Sequence, residues 1–441
     1  MIRKITVLAA EVRSYQRATI VLRESDVLVS AQTVQRVVHE VGHELVERRD
    51  SKKPQLRLAK RPENVPALAV VECDGGRIRT REPGHGPGVT LTGSGWSESK
   101  HACLIRATHQ TFTSDPQPDP PECFLDPKHV AKIVESAALS RATPVAAPEE
   151  TLGESAVDVA ADIDTVEPVI VDTESPASVV STEALTPAET SIEGPPDAPH
   201  SPLEQALDTA DWRPKRLVRT VISSLCPAKV FGGQMKREAH DRQFFQALAR
   251  AFLGDGLPWN WSIWKKHFPT FIPILDFIHA LSYLFTAAKA VHPDSPDDAW
   301  DQYQVWMTGC WRGEVAQILA ELTAWQERLG TAPKGTPDTD PRVIVRTTLR
   351  YLTNNQPRMK YAEYRRAGLP VTTAWMESLV KEMNYRVKGT EMFWNNPAGA
   401  EAILQIRSAA LSEDNRLIHH LSTRPGSPFV RKSGGKQKIN S

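Results

Sequence analysis

VPALAVVECDGGRIRT, spanning Val65–Thr80, opens with a β-branched apolar run of strand length, Val65 to Cys73. Asp74 and two glycines, Gly75 and Gly76, follow at once, and from Arg77 to Thr80 the strand-like alternation resumes. The expected structure is a hairpin with an acid at its turn. Ala102–Thr108, after Trp96, reads as a third strand, so the chain begins its sheet with three strands in succession.

Further along, a helix is expected from about Met235 to Phe252, and then LGDG, Leu253–Gly256, ends a fourth strand on Asp255. WNWSIWKKHF, Trp259–Phe268, reads as helical, and FIPILDF ends another strand near Asp276 before a helix starting around His279. Three strands, then helix, strand, helix and strand, is the chain order of a ribonuclease H-like α/β fold. From His279 to Leu329 the sequence is helical and rich in tryptophan (Trp300, Trp306, Trp311, Trp325), and a further helix covers Arg342–Leu352. These aromatics fit a core or, as the second reading, a base-stacking platform. The last helices begin near Thr372, where Glu377, Lys381 and Asn384 fall at i, i+4 and i+7, near one face.

Upstream of Val65, Tyr15–Arg49 reads as two helices. The second is capped by Ser30 and carries Val34, Val37, Val38, Val41 and Leu45 at helical spacing. Its outer face bears Gln32, Gln35, Arg36 and His39, so the pair reads either as a helix-turn-helix entering a DNA groove or as a packed hairpin. The N-terminus has only about six apolar residues in sequence, too few for a signal peptide, and no stretch approaches the roughly 18 needed to span a membrane. A cytosolic protein is expected. Cys73, Cys103, Cys123, Cys226 and Cys310 are too scattered for a zinc site or a disulfide framework.

The 53 basic and 53 acidic residues cancel formally, but they are unevenly placed. Between Ala142 and Trp212 there are 16 acids and no Lys or Arg, which leaves 53 bases against 37 acids elsewhere. That excess suits a phosphate-rich partner. The acidic stretch is rich in Pro, Ala, Ser and Thr, lacks aromatics before Trp212, and is expected to be disordered. It reads as a solvated linker or as an acidic strand that shields a DNA-binding face.

Acids at strand ends point to phosphodiester chemistry. Two metal ions roughly 3.5 to 4 Å apart need carboxylates from several segments, one ion activating the attacking oxygen and the other the leaving oxygen. Asp74, Asp255 and Glu377 supply one acid each, and glycines beside both aspartates leave room for close approach. Asp276 also ends a strand and competes with Asp255 for the second position. His279 reads as a phosphate contact or as part of its helix cap.

The blocks VVECDGGRIRTR, FLGDGLPWNWSIWKKHF, ILDFIHALSYLF, YLTNNQPRMKYAEYRRAGLPVTTAWMESLVKEMNYRVKGTEMFW and GAEAILQIRSAALSED resemble the Kra-type family of bacterial insertion-sequence transposases, relatives of the mutator-like group. The resemblance covers most of the chain outside the acidic insert. It implies a ribonuclease H-like core, a DDE active site at Asp74, Asp255 and Glu377, and two Mg²⁺ or Mn²⁺ ions. The implied partners are double-stranded DNA at the element's terminal inverted repeats, target DNA, and a second copy of the chain on DNA. Arg36, His279, Arg358, Lys381, Arg386 and Lys388 are the candidate DNA contacts, the late ones lying in a hundred-residue stretch with 17 bases and 7 acids. Two departures from the family are a short lead, about 14 residues, ahead of the helix-turn-helix-like region and the size of the acidic insert.

The expected organisation is a helical region over 1–60, a first part of the core over 61–135, the acidic insert over 136–211, and a second part of the core over 212–285. A helical insertion over 286–355, final core helices over 356–422 and a basic flexible tail over 423–441 complete it. Two other functions keep the same residues in play: a nuclease without strand transfer, and an inactive remnant that only binds DNA.

Overall fold

Strand β1, Leu68–Arg79, runs unbroken through Asp74, Gly75 and Gly76 and pairs antiparallel along its whole length with β2, Trp96–Ala107. The expected turn at Asp74 is therefore absent. Neither glycine has a positive φ; each is extended, opposite Lys100 and Ser99 respectively. A Cβ on Gly76 would stand 3.0 Å from Ser99 Oγ, so close approach, not turning, accounts for glycine there. The expected third strand is the second half of β2.

The computed structural model describes residues 1–53, 64–80, 96–141, 212–388, 394 and 397–424. From residue 142 onward the acidic insert lies outside the described residues, as does the tail beyond Arg424. Residues 136–141, expected to belong to that insert, instead complete a helix, α4, Pro127–Arg141. The chain re-enters as a strand that the sequence reading missed, β3, Arg216–Ser224, which pairs antiparallel with β2. The insert thus separates β2 from β3 and does not follow a third strand.

Helix α5, Ala228–Asp241, buries Phe231, Met235 and Ala239 at i, i+4 and i+8. It stops eleven residues short of the expected Phe252: Gln243 takes a left-handed φ of 63° and a turn at Phe244–Gln246 leads into β4, Ala249–Gly254. In β4 the burial pattern changes from helical spacing to alternation, Ala251 and Leu253 facing one core and Phe252 the other. Then come α6, Pro258–His267, the short β5, Ile272–Leu275, and α7, Phe277–Val291. The five strands form one mixed sheet in the order β3-β2-β1-β4-β5, with β4 parallel to β1 and β5 parallel to β4.

Both faces of this sheet are covered. On one side Ala69, Val71, Ala102, Leu104 and Phe252 pack with α5 and α6; on the other Leu68, Val70, Cys103, Ile105 and Leu253 join a larger core built with most other helices. The N-terminal helices α1, Ile2–Glu11, α2, Tyr15–Arg23, and α3, Ala31–Asp50, belong to that larger core. Ser14 and Ser30 cap α2 and α3 by accepting from Arg17 N and Thr33 N. Val34, Val37, Val38 and Val41 of α3 are buried, with Leu45 at the edge.

Beyond α7 the chain is helical as expected, in α8, Pro296–Arg312, α9, Val315–Leu329, and α10, Pro341–Asn355. Trp306 and Trp311 are fully buried and donate to Glu321 Oε2 (2.7 Å) and Gln117 O (2.9 Å), which satisfies the core reading for these two rings. Helices α11, Tyr361–Arg366, α12, Ala374–Val387, α13, Pro397–Leu411, and α14, Arg416–Thr423, end the described chain. Among the described residues no helix is long and apolar enough to cross a membrane.

Helices α3 and α13 touch backbone to backbone at Gly42, where a Cβ would lie 2.5 Å from both the Cβ and the carbonyl oxygen of Ala402. A methyl there has nowhere to go without separating the helices. Gly42→Ala is expected to lower the unfolding free energy in urea by about 1–3 kcal/mol despite alanine's better helix propensity.

Candidate active site

Strand register brings the acids together. Glu72 on β1 lies opposite Leu253 on β4, so two residues further Asp74 comes alongside Asp255 at the end of β4. By the same step Gly254 pairs with Leu275, which places Asp276 next to Asp255 at the end of β5. Asp255 and Asp276 thus stand just past the ends of β4 and β5, level with Asp74 in the middle of the neighbouring parallel strand β1. Glu377 arrives from the side, in the first turn of α12, a helix packed against β1 and β2.

The four acids have different surroundings. Asp74 is half-buried, and its Oδ1 accepts from Gly75 N at 2.7 Å. Burial, then the charge of Asp255 and more weakly that of Glu377, lift its carboxyl to about 7, against the pull of His279. Asp255 Oδ1 accepts from Leu257 N (2.9 Å) and from Asn260 Nδ2, and the backbone oxygen of Asp255 receives the Tyr351 hydroxyl (2.7 Å). Gly256, next in the chain, has φ 96° and lies so near Tyr351 that only glycine fits. A tight, fastened turn therefore holds Asp255 at the strand end.

Asp276 is committed elsewhere. It is fully buried; Oδ1 accepts from Thr373 N (2.7 Å), and Oδ2 accepts from His279 N (3.0 Å) and lies 2.6 Å from His279 Nδ1. Thr373 is the N-cap of α12, so this carboxylate sets the start of the helix carrying Glu377. Between the two candidates for second acid, Asp255 is the one with a half-exposed side chain beside Asp74.

His279 serves as a partner of Asp276. Burial opposes its charge, but the hydrogen bond and charge of Asp276, followed by the charges of Asp255 and Asp74, raise it to about 9. Its side chain is 17% exposed, so an imidazolium sits among the acids with an edge toward solvent.

Glu72 escaped the sequence reading. It is fully buried two residues before Asp74, and neither carboxyl oxygen has a hydrogen-bond partner. Burial, then the charge of Asp276, hold it well above the carboxylate range although Arg213 pulls the other way. Burial disfavours the charged form and outweighs the opposing pull of Arg213 and of the Met376 backbone N–H. The signal was a glutamate inside an otherwise apolar run.

Of the proposed DNA contacts, Arg36, Lys381 and Lys388 are exposed, and Arg358 is half-buried with its guanidinium 4.4 Å from the Trp261 ring centroid. Arg386 is a correction. It is 2% exposed, donates to Ala9 O (2.7 Å) and Arg13 O (3.3 Å), and lies over the rings of Tyr15 and Trp394. It fastens α1 and α2 to α12 and has no face left for a phosphate. Position 386 turned inward because it shares the α12 face of Leu379 and Met383, which are buried.

The donor chemistry is that of hard divalent cations, all carboxylate oxygen. Among the described residues, however, no three His, Cys, Asp or Glu side chains converge tightly enough to hold an ion in their present positions. The elevated Asp74 carboxyl expresses the same repulsion that a cation would relieve.

The sign of the Asp74 shift sets a pH dependence. Its folded value, about 7, exceeds the reference 3.8, so between these values the unfolded chain loses its proton first and stability falls as pH rises. Asp74→Asn is expected to raise the melting temperature over wild type by an amount that is small near pH 4 and grows up to about pH 7, read by thermal scans in EDTA. Comparison of the chain with family models and with curated proteins returns no match.

Proposed function

We propose that this chain is a DDE-type DNA transposase built on a ribonuclease H-like core, acting on the ends of an insertion sequence. The observation that carries the reading is the alignment of Asp74 with Asp255 across adjacent parallel strands, with Glu377 brought in by α12. The strand order β3-β2-β1-β4-β5, antiparallel in its first three members and parallel in the rest, supports the same core.

In this mechanism Asp74, Asp255 and Glu377 would hold the metal ions, drawn together from their present positions. Two bound Mg²⁺ or Mn²⁺ ions would supply a water or hydroxyl nucleophile at neutral pH and stabilise the leaving oxygen. The protein's part is placement: the Asp255 turn, locked by Asn260 and Tyr351, and the α12 start, locked by Asp276, limit how far the acids can drift. Protonated His279 contributes positive charge at the edge of the site, suited to a scissile phosphate. Hydrolysis at the element end frees a 3′-hydroxyl, and that hydroxyl then attacks target DNA in line, so no covalent enzyme intermediate forms. Arg36, Arg358, Lys381 and Lys388 would hold backbone phosphates, and two ends imply at least two copies of the chain on DNA.

The test is cleavage of labelled DNA carrying the element's terminal repeat, with and without Mn²⁺ or Mg²⁺. Asp74→Ala, Asp255→Ala and Glu377→Ala are each expected to reduce nicking at least about 10³-fold while end binding persists. Asp276→Asn is expected to reduce it less, because its loss displaces α12 without removing a ligand. Wild-type protein that joins a pre-cleaved end to a plasmid acts as a transposase, whereas cleavage without joining indicates a nuclease. Binding without cleavage in either metal would sink the catalytic reading and leave a DNA-binding remnant.

A further inference from the structure

Helix α6 follows the Asp255 turn directly, and its two sides are unlike. Inside, Asn260 and Ile263 are buried, Asn260 holding Asp255 and Ile263 packing under the sheet. Outside, Trp259, Ser262 and Lys266 fall at i, i+3 and i+7, beside a second stripe of Pro258, Trp261 and Lys265 at the same spacing. Ser262, Lys265 and Lys266 are exposed, and Trp259 and Trp261 are half-exposed. Aromatic rings thus stand at the end of the helix near the acids and ammonium groups at the far end.

Trp259 lies against the strand that carries Asp74. A side chain begun at Gly75 would meet Trp259 Cζ2 at 3.8 Å, an ordinary contact, so the ring borders the Asp74–Gly75 backbone from across the site. At its other side the Arg358 guanidinium covers Trp261, 4.4 Å from the centroid, and reaches within 5.9 Å of the Trp264 centroid. A ring beside a carboxylate cluster, followed by guanidinium and ammonium groups along about 15 Å of helix, matches an unpaired nucleotide strand: base on the ring, phosphates on the cations.

We infer that the outer side of α6 receives the unpaired DNA strand adjoining the scissile phosphate, with Trp259 as the platform for the first base. This rests on the DNA-cleaving reading for its place in the reaction, but the binding itself needs no catalysis. A duplex end would have to be unpaired over two or three nucleotides to reach from Trp259 to Lys266, the span of the helix at roughly 6 Å per nucleotide. Duplex DNA, with its bases stacked inside, gains nothing from Trp259.

The probe is a fluorescent oligothymidylate of about 12 nucleotides, compared by anisotropy with a blunt duplex of equal length, using the full chain in EDTA. Wild type is expected to bind the single strand, and Trp259→Ala to weaken that binding at least about fivefold with duplex binding unchanged. Trp259→Phe retains most of it. Ser262→Glu, on the exposed stripe and away from the core, is expected to weaken it comparably, so the idea stays testable if Trp259→Ala unfolds. Asp74→Ala and Asp255→Ala should leave single-strand binding intact, which separates this surface from the catalytic reading. Failure of the wild type to bind, full affinity in both Trp259→Ala and Ser262→Glu, or equal losses on single strand and duplex would each overturn it.

Discussion

The Asp276 carboxylate is the tie on which the geometry of the acid cluster depends. It ends β5, caps α7 through His279 N, pairs with the His279 ring and accepts from Thr373 N at the start of α12. One buried group thereby joins a strand, the helix that follows it and a helix nearly a hundred residues later. Charge-assisted bonds of this kind are short and directional, and they offset the cost of burying the charge. Without this tie the helix carrying Glu377 would have no fixed start relative to the sheet.

Around that tie the site is an exercise in unequal environments. Asp276 is surrounded by donors, Asp255 is held by a backbone amide and an asparagine, Asp74 is buried and crowded by the charge of Asp255, and Glu72 is buried with only Arg213 and the Met376 backbone opposing. The charge of His279 interacts with those of Asp276, Asp255 and Asp74. Raised carboxyls close together, here Asp74 and Glu72, are typical of functional sites. The proposed metal role rests on this concentration of acids beside two interior strands.

Several elements were legible because they depend on local pattern. The valines of α3 and the serine caps follow from helical spacing and from hydroxyls that satisfy free amides. The position of Asp255 after β4 followed from a glycine-flanked strand end. Where local signs misled, a longer-range contact had taken over. Gly75 and Gly76 looked like a turn, yet pairing with β2 kept them extended, and the close approach of Ser99 used the missing side chain of Gly76. β3, with Arg216 and Arg219 among its β-branched residues, was missed; Arg219 is nevertheless buried and paired with Glu382 of α12, a partner no local window contains.

By itself the sequence determined an α/β chain with acids beside strand ends, an amphipathic N-terminal helix, and positive charge concentrated outside one acidic segment. Those features rest on periodicity and composition, which are properties of neighbours along the chain. Only the tertiary structure decided that Asp74 stands in mid-strand alongside Asp255, that Asp276 is consumed in orienting α12, and that Arg386 anchors the N-terminal helices while Lys381 and Lys388 remain outside. Register, burial and hydrogen-bond partners are set by segments far apart in sequence, and the role of a charged side chain depends on which of them meets it.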